Sequence, residues 1–173
     1  MWDFFETVRN RHSIRKYRDN APVENEKLHA ILEMACAAPS AGDLQSYKIV
    51  VIADQQDRKR LEQAAEDQPF ISQAPICLAF CADPERSAEK YGDRGRNLYA
   101  IQDATIAATF AQLAIVAAGM GSTWVGHFND KAVADILKLD KGVIPVALLS
   151  IGYPADIPEQ SNRRRLDDVV KHL

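Results

Sequence analysis

Cysteine is scarce in this sequence, and neither sign of charge dominates. Its 173 residues include three cysteines and carry a formal net charge of −3. The cysteines form neither a CxxC pair nor the framework of a disulfide-rich domain, so we expect reduced, mostly buried thiols in a cytoplasmic protein. The slightly acidic total gives no support for nucleic-acid binding. The N-terminal residues MWDFFETVRN lack the cationic start and apolar run of a signal peptide.

The sequence also lacks the common motifs for a catalytic nucleophile, a dinucleotide-binding fold or a metal site. No GxSxG motif marks a nucleophile, and no strand is followed by GxGxxG and a helix. The four histidines and three cysteines show no metal-ligand spacing. We therefore name no catalytic side chain and no metal site. If the protein is an enzyme, the reactive atom belongs to a bound cofactor.

One long apolar segment, residues 98–118, predicts a helix that is buried nearly all round. Four polar residues recur at spacings of three and four and so form a single stripe: Gln102, Thr105, Thr109 and Gln112. This stripe is either a solvated face or a polar seam against a second subunit. Gly119 predicts a left-handed end to the helix. The length would also suit a membrane span, but the polar stripe and the absence of other such segments argue against a membrane protein.

The remaining periodicities predict a single α+β domain over residues 1–173. Helices are expected at 2–10, at 24–38, from a cap at Asp54 to about 67, and after a cap at Asn129 or Asp130. Strands are expected at 47–54, 75–82, 122–128 and 143–151, with 47–54 typical of a strand buried on both faces. Pro145 indicates an edge position or a bulge. The polar residues 83–97 show no period and predict a mobile lid.

Basic residues are concentrated in two short clusters. Five of them lie between Glu6 and Asp19 without an acidic residue, and the second cluster is RRR at 163–165. In RHSIRKY, the side chains of Arg11, Ser13 and Arg15 alternate along an extended loop, so all three are expected on one side, where they suit a phosphate. The GYP at 152–154 would return the chain to this loop. Charge alone favours two solvated surfaces.

Two further stretches suit contact with a ligand, although each is weak alone. PSAGDLQS, at 39–46, has small residues where backbone can approach a ligand, and it also reads as an ordinary helix-to-strand loop. TWVGHF, at 123–128, exposes backbone N–H groups at the end of a strand.

Taken together and in order, several stretches of the chain resemble the nitroreductase family of FMN-dependent oxidoreductases. They are RHSIRKY, APSAGDLQSYKIVVI, QPFISQAPICLAF, GMGSTWVGHF, and VIPVALLSIGYP with RRRLDDVV. The resemblance implies an α+β fold with a mixed, mainly antiparallel sheet flanked by helices. It further implies an intertwined homodimer with a central buried helix and two FMN sites at the subunit interface. NADH or NADPH would donate a hydride to flavin N5, and a nitroaromatic, quinone or similar small-molecule acceptor would follow in a ping-pong cycle. The alternatives are reductive dehalogenation or flavin processing on the same fold, and a non-catalytic flavin-binding protein.

The resemblance also assigns roles to individual residues. The residues implied to bind FMN are Arg11, His12, Ser13, Arg163 and Arg165 at the phosphate, Arg15 near N1 and O2, Gln68 at the pyrimidine edge, Gly126 and His127 near N5 and O4, and Pro39, Ser40 and Asp43 from the other subunit. The residues expected in the substrate pocket are Tyr91, Tyr99 and His127. Three residues depart from the family pattern: Asp43 replaces an asparagine, Ser46 a proline and His127 a glycine.

Overall fold

A computed structural model describes residues 3–159 and 161–173 of the chain. The helices of this part are α1 (Phe4–Arg9), α2 (Asn25–Cys36), α3 (Gln55–Ala64), α4 (Phe70–Gln73), α5 (Pro84–Arg94), α6 (Ala100–Ala117) and α7 (Asp130–Leu137). The strands are β1 (Tyr47–Ile52), β2 (Ile76–Ala82), β3 (Gly121–Val125) and β4 (Ile144–Gly152). Single helical turns lie at Ala41–Asp43 and Leu166–Asp168.

The four strands form one antiparallel sheet in the order β1-β2-β4-β3. Helices α2 and α6 pack on one face around Phe80 and Ile115. Helices α3, α4 and α7 pack on the other face around Leu61 and Leu148. The prediction of an α+β fold with a mainly antiparallel sheet flanked by helices is confirmed.

Local capping signals place several helices where the sequence predicted them. The carboxylate of Asp54 accepts hydrogen bonds from the N–H groups of Gln56 at 2.8 Å and Asp57 at 3.0 Å, and so begins α3. The side chain of Asn129 does the same for Ala132 N–H at 2.9 Å in α7. In the predicted first helix, α1 begins at Phe4, while Trp2 lies outside the described residues.

The first strand does not lie where its composition suggested. β1 pairs only with β2, so it forms an edge of the sheet, and the side chains of Lys48 and Val51 are exposed. The prediction of burial on both faces is therefore wrong. A run of β-branched residues indicates that a segment suits a β-sheet. It does not indicate whether the strand lies at the centre or at the edge of that sheet.

Pro145 lies in a central strand, at a bulge. Along β4, Ala147 pairs with Phe80 and Pro145 pairs with Cys81, which leaves Val146 as the extra residue. The bulge is confirmed, and because the described β3 pairs with β4 only between Leu148 and Gly152, Pro145 also lies on a stretch of β4 that has a paired strand on one side alone. A bulge interrupts the ladder of hydrogen bonds where proline has no N–H to donate.

The end of α6 follows the predicted left-handed cap. Gly119 has φ +78°, its N–H donates to the carbonyl of Val116 at 2.9 Å, and Met120 N–H donates to Ile115 at 3.0 Å. These two bonds form the Schellman arrangement that satisfies the last carbonyls of a helix. The helix therefore ends at Ala117, four residues before the start of β3 at Gly121.

One face of α6 is exposed in the single chain. The prediction that this helix is buried nearly all round is therefore wrong for an isolated subunit. Ile101 and Phe110 are 39% and 38% exposed on this face. Of the polar stripe, Gln102 and Thr109 reach the surface, while Gln112 is buried. The helical stretch Pro84–Ala117, which Gly92 interrupts, is long and apolar enough to cross a membrane, but half of its most apolar window is buried in the fold, which is typical of a core helix.

The predicted mobile segment 83–97 is largely helical. Asp83 caps α5 by accepting a hydrogen bond from Arg86 N–H at 3.3 Å, and Pro84 occupies the first turn. Gly92, at φ +56°, breaks the helix. The chain then returns to α6 through a π-helical turn, Gly95–Tyr99. We call residues 83–99 the α5 hairpin. The residues that this segment buries are Pro84, Ser87 and Gly95, and none of them is a large apolar residue, so its sequence shows no strong hydrophobic period.

Two of the three cysteines are buried, as predicted. Cys77 and Cys81 are unpaired within β2, and burial raises the pKa of each thiol to about 12. Cys36 is unpaired and exposed at the end of α2. At neutral pH the buried pair therefore stays in the neutral thiol form, which is a poor nucleophile.

Candidate functional site

The N-terminal basic loop lines a cavity of about 490 Å³, which we call the cation cavity. Its lining residues are Val8, Arg9, Arg11, His12, Ser13, Arg15, Pro158, Glu159, Ser161 and Arg163. Four of the residues implied to contact the phosphate, Arg11, His12, Ser13 and Arg163, thus meet in one place, together with Arg15. Arg165 is not among these lining residues; its guanidinium lies 3.5 Å from the carboxylate of Asp167, and its side chain is 81% exposed.

The alternation of side chains along this loop follows from one buried anchor. Ile14 is 3% exposed, and its N–H donates to the carbonyl of Ser122 in β3 at 3.0 Å. A Cβ on Gly121 would lie 2.3 Å from Ile14 Cγ1, so only glycine permits this approach. Since Ile14 points inward, Ser13 and Arg15 on either side of it point into the cation cavity. The predicted one-sided display is confirmed.

The end of β4 returns the chain to the same loop. Arg18 N–H donates to the carbonyl of Tyr153 at 2.9 Å, and Ala155 N–H donates to that of Lys16 at 3.0 Å. Tyr17 forms a bridge with Pro154. Burial raises the pKa of Tyr17, and its hydroxyl donates to the carbonyl of Ile14 at 2.8 Å. The predicted return is confirmed, and it is what carries Arg163 to the cavity.

Arg15 connects the cation cavity to the turn before α4. Its guanidinium carbon lies 5.8 Å from the centre of the Phe70 ring. Gln68 lies two residues before Phe70, and its side-chain amide donates to the carbonyl of Ala65 at 2.9 Å. The turn around Gln68 thus approaches the basic loop, although the two are more than 50 residues apart in sequence.

The loop after β3 is tied to this same turn. Asn129 N–H donates to the carbonyl of Ala64 at 2.8 Å, and His127 Nε2 lies 2.8 Å from Glu66 Oε1. Gly126 and His127 therefore lie near the Gln68 turn. The imidazole itself lines a cavity of about 750 Å³ between α3 and α7, together with Arg60 and Asp135.

The loop at 39–46 holds an unusual backbone conformation. Gly42, Asp43 and Gln45 have φ of +57°, +57° and +49°, in the left-handed region. The hydroxyl of Ser40 accepts a hydrogen bond from Gln45 N–H at 2.9 Å, and Asp43 is exposed. We call residues 39–46 the left-handed loop.

A buried carboxylate that the sequence analysis missed holds this loop. Asp103, in α6, is 2% exposed and accepts hydrogen bonds from the N–H groups of Ala41 at 2.9 Å and Ser46 at 3.3 Å. The sequence carried one signal for it, since Asp103 is the only charged residue within 98–118. A charge in so apolar a helix needs partners, because burying it unpaired is unfavourable.

Replacing Asp103 with alanine is expected to destabilise the protein by about 2–5 kcal/mol, because two backbone donors lose their acceptor and each buried unsatisfied donor is unfavourable by about 1–3 kcal/mol. The free energy of unfolding in urea measures the effect. The control is Thr109→Ala on the exposed side of the same helix, where the hydroxyl bonds only to the carbonyl of Thr105. Equal stability of the two variants would contradict this role for Asp103.

The two tyrosines predicted for a substrate pocket lie against the left-handed loop. The rings of Tyr91 and Tyr99 meet edge to face, with centroids 5.1 Å apart. A Cβ on Gly42 would lie 2.4 Å from the hydroxyl of Tyr91. Within one chain, the predicted site residues thus form two groups: one around the cation cavity and the Gln68 turn, the other made of the left-handed loop and the tyrosine pair.

The chain was compared with known families, proteins and structures. The model of the nitroreductase family matches residues 8–70 and 64–153. A Bacillus subtilis protein named FMN reductase (NAD(P)H) is 32% identical over 169 residues, which cover 90% of this chain and 68% of the relative. A Thermus thermophilus protein named NADH dehydrogenase is 33% identical, over 92% of this chain and 91% of its own.

A solved structure has the same architecture. The NADPH:FMN oxidoreductase from Vibrio harveyi, complexed with NAD+, superposes with a TM-score of 0.89 at 28% identity, over 98% of this chain and 76% of that one. The family match extends from the basic loop through the Gln68 turn and β3 to the end of β4. By sequence and by fold, the chain belongs to the nitroreductase family.

Proposed function

We propose that the protein is an FMN-dependent oxidoreductase that takes electrons from NADH or NADPH and passes them to a nitroaromatic, quinone or similar small acceptor. The observation that carries the proposal is the convergence of Arg11, Ser13, Arg15 and Arg163 on one cavity in a chain of this family. The names of the relatives support the same chemistry.

The cation cavity fits the phosphate end of FMN. Guanidinium groups match the oxygens of a phosphate with pairs of parallel donors, and a serine hydroxyl adds one more donor. Glu159 is the one acidic residue among the described lining residues, so the cavity retains a surplus of positive charge. The proposed phosphate ligands are Arg11, His12, Ser13 and Arg163, and Arg165 of the tail is proposed to join them in the assembled protein.

The residues around the Gln68 turn are proposed to hold the ring system of the flavin. Bound FMN supplies the two-electron chemistry. Gln68 offers an amide to the pyrimidine edge, and Gly126 and His127 offer backbone N–H groups. Arg15 places a positive charge beside the ring, which favours the anionic reduced form and so raises the reduction potential. Donor and acceptor use the same opening in turn, as a ping-pong cycle requires.

We further propose that the protein is a homodimer in which two subunits complete each site. A groove of about 460 Å³ runs along the open face of α6, and its lining residues are Phe4, Thr7, Met34, Phe110, Leu113, Ala114 and Ala117. Phe4 and Phe5 are each 66% exposed, as are apolar residues of the tail such as Leu166 at 72%. An exposed apolar groove of this kind, with further exposed apolar residues elsewhere on the chain, is typical of a protein with a subunit interface. A second copy would bring its left-handed loop, with Pro39, Ser40 and Asp43, to the cation cavity.

The purified protein is expected to show the absorption spectrum of bound flavin, and anaerobic addition of NADH or NADPH should bleach it. If the protein is purified without cofactor, it should bind added FMN more tightly than riboflavin, which lacks the phosphate. A flavin spectrum that persists with both donors would favour a non-catalytic binding protein. A protein that takes up neither flavin would contradict the proposal.

A further inference from the structure

The α5 hairpin carries two cations without a carboxylate partner. Arg96 is paired with Glu85 at 2.9 Å and with Asp93 at 3.2 Å. In contrast, no described carboxylate lies within 4.0 Å of Lys90 or Arg94. The hairpin therefore presents two positive charges that its own acidic residues leave available.

Both cations lie over aromatic rings. Lys90 Nζ is 5.4 Å from the centre of the Tyr91 ring, and the guanidinium carbon of Arg94 is 5.5 Å from that of Tyr99. Arg94 Nε also donates to the hydroxyl of Tyr99 at 2.9 Å. Since the two rings are themselves in contact, the four side chains form one patch, which we call the tyrosine–cation patch. Cation–π contacts of this kind hold the charges in place at the surface.

The backbone of the hairpin holds the patch in position. The turn at Gly92 has the left-handed φ of +56°, and a Cβ on Gly95 would lie 2.5 Å from the carbonyl oxygen of Ser87. These two glycines let the π-helical turn pack closely against α5. Arg86 Nε donates to the carbonyl of Leu44, which fastens the hairpin to the left-handed loop. The patch is thus fixed beside the loop that the proposed function assigns to the flavin of the partner.

The acidic residues near the patch balance the formal charge of the hairpin but do not pair with Lys90 or Arg94. Glu89 is exposed on α5, Asp93 is paired with Arg96, and Asp43 is exposed on the neighbouring loop. A neutral quinone or nitroaromatic acceptor gains little from two cations. A dianionic phosphate next to a flat base gains from both the charges and the rings.

We propose that the tyrosine–cation patch binds the 2′-phosphate and adenosine of NADPH, so that NADPH is preferred to NADH as the electron donor. The inference rests on the proposed function and names the substrate of that same site. NADPH and NADH differ only in this phosphate. Positive charges that contact the extra phosphate therefore raise the affinity for NADPH over that for NADH. Lys90 and Arg94 are the specificity-determining residues in this proposal.

The test compares the native protein with the double variant Lys90→Met and Arg94→Met. In the native protein, kcat/KM is expected to be at least about tenfold higher with NADPH than with NADH. The double variant should lower kcat/KM for NADPH by about a hundredfold, roughly tenfold for each charge-assisted contact, and change that for NADH by less than about threefold. The matched control, Lys131→Met with Lys141→Met, removes the same charge from α7 and the loop that follows it, and should leave both values unchanged.

A binding measurement on the FMN-loaded protein separates this inference from the proposed function. Isothermal titration should show 2′,5′-ADP binding at least about tenfold more tightly than 5′-AMP, with the difference lost in the double variant. If neither donor reduces the flavin, the proposed function fails, and the two nucleotides still test the patch. If both donors work equally well, or if the control variant lowers the preference as much as the double variant, the inference is overturned and the proposed function stands.

Discussion

Replacing both Arg11 and Arg163 with alanine is expected to weaken FMN binding by about a hundredfold or more. Each guanidinium lines the cation cavity from a different end of the chain. A hydrogen bond to a charged group contributes about 1.5–3 kcal/mol, and about 1.4 kcal/mol is a tenfold change in affinity. Fluorescence titration of the cofactor-free protein with FMN measures the loss.

Riboflavin and a neighbouring arginine provide the controls for that experiment. The double variant should bind riboflavin as the native protein does, since riboflavin has no phosphate to contact. Arg164→Ala should leave FMN binding unchanged, because Arg164 is not among the described residues that line the cation cavity and has no role in the proposed function. Arg165→Ala tests separately whether the tail contributes a contact across subunits. Undiminished FMN affinity in the Arg11 and Arg163 variant would show that the phosphate lies elsewhere.

Replacing Phe110 with glutamate is expected to convert the protein to a monomer that no longer retains FMN. Phe110 lies at the open face of α6 and is 38% exposed in the single chain. In the proposed dimer this face is covered, and an unpaired carboxylate buried there would be unfavourable by several kcal/mol. Sedimentation velocity gives the mass, and flavin absorbance in the same run gives the bound FMN.

The substitution Ile144→Glu is the matched control, because Ile144 is also apolar and is 39% exposed, at the start of β4. That variant should remain dimeric and keep its flavin. If Phe110→Glu stays dimeric with FMN bound, the open face of α6 is not the interface. A monomer that keeps FMN would show that one subunit is enough to hold the cofactor.

Features set by short-range patterns could be predicted from the sequence. The caps at Asp54 and Asn129 and the glycine end of α6 depend on a few neighbouring residues, and each lies where predicted. The α5 hairpin could not be predicted in this way, since the residues it buries, Pro84, Ser87 and Gly95, form no stripe of large apolar side chains. The edge position of β1 depends on strand pairing, which composition does not report.

The candidate site also combines features that short-range sequence patterns predict with features that they do not. The one-sided display of Arg11, Ser13 and Arg15 follows from the two-residue period of an extended chain, so it could be inferred from seven residues. The role of Asp103 could not be inferred in this way, because its carboxylate oxygens accept hydrogen bonds from a loop about 60 residues away in sequence. The resemblance to a family supplied roles for Gln68 and Gly126 that neither composition nor spacing would indicate.

The cation cavity joins residues between Val8 and Arg15 to Pro158, Glu159, Ser161 and Arg163, and this sets an order of events during synthesis. Domains begin to fold while the chain is still being made, and a ligand stabilises only those conformations that can bind it. A nascent chain that has formed the sheet and α6 but has not yet released residue 163 lacks one wall of the cavity. Arg163 can therefore contribute to holding a cofactor only after translation has passed this point, when the strands of the sheet and α6 have already been synthesised.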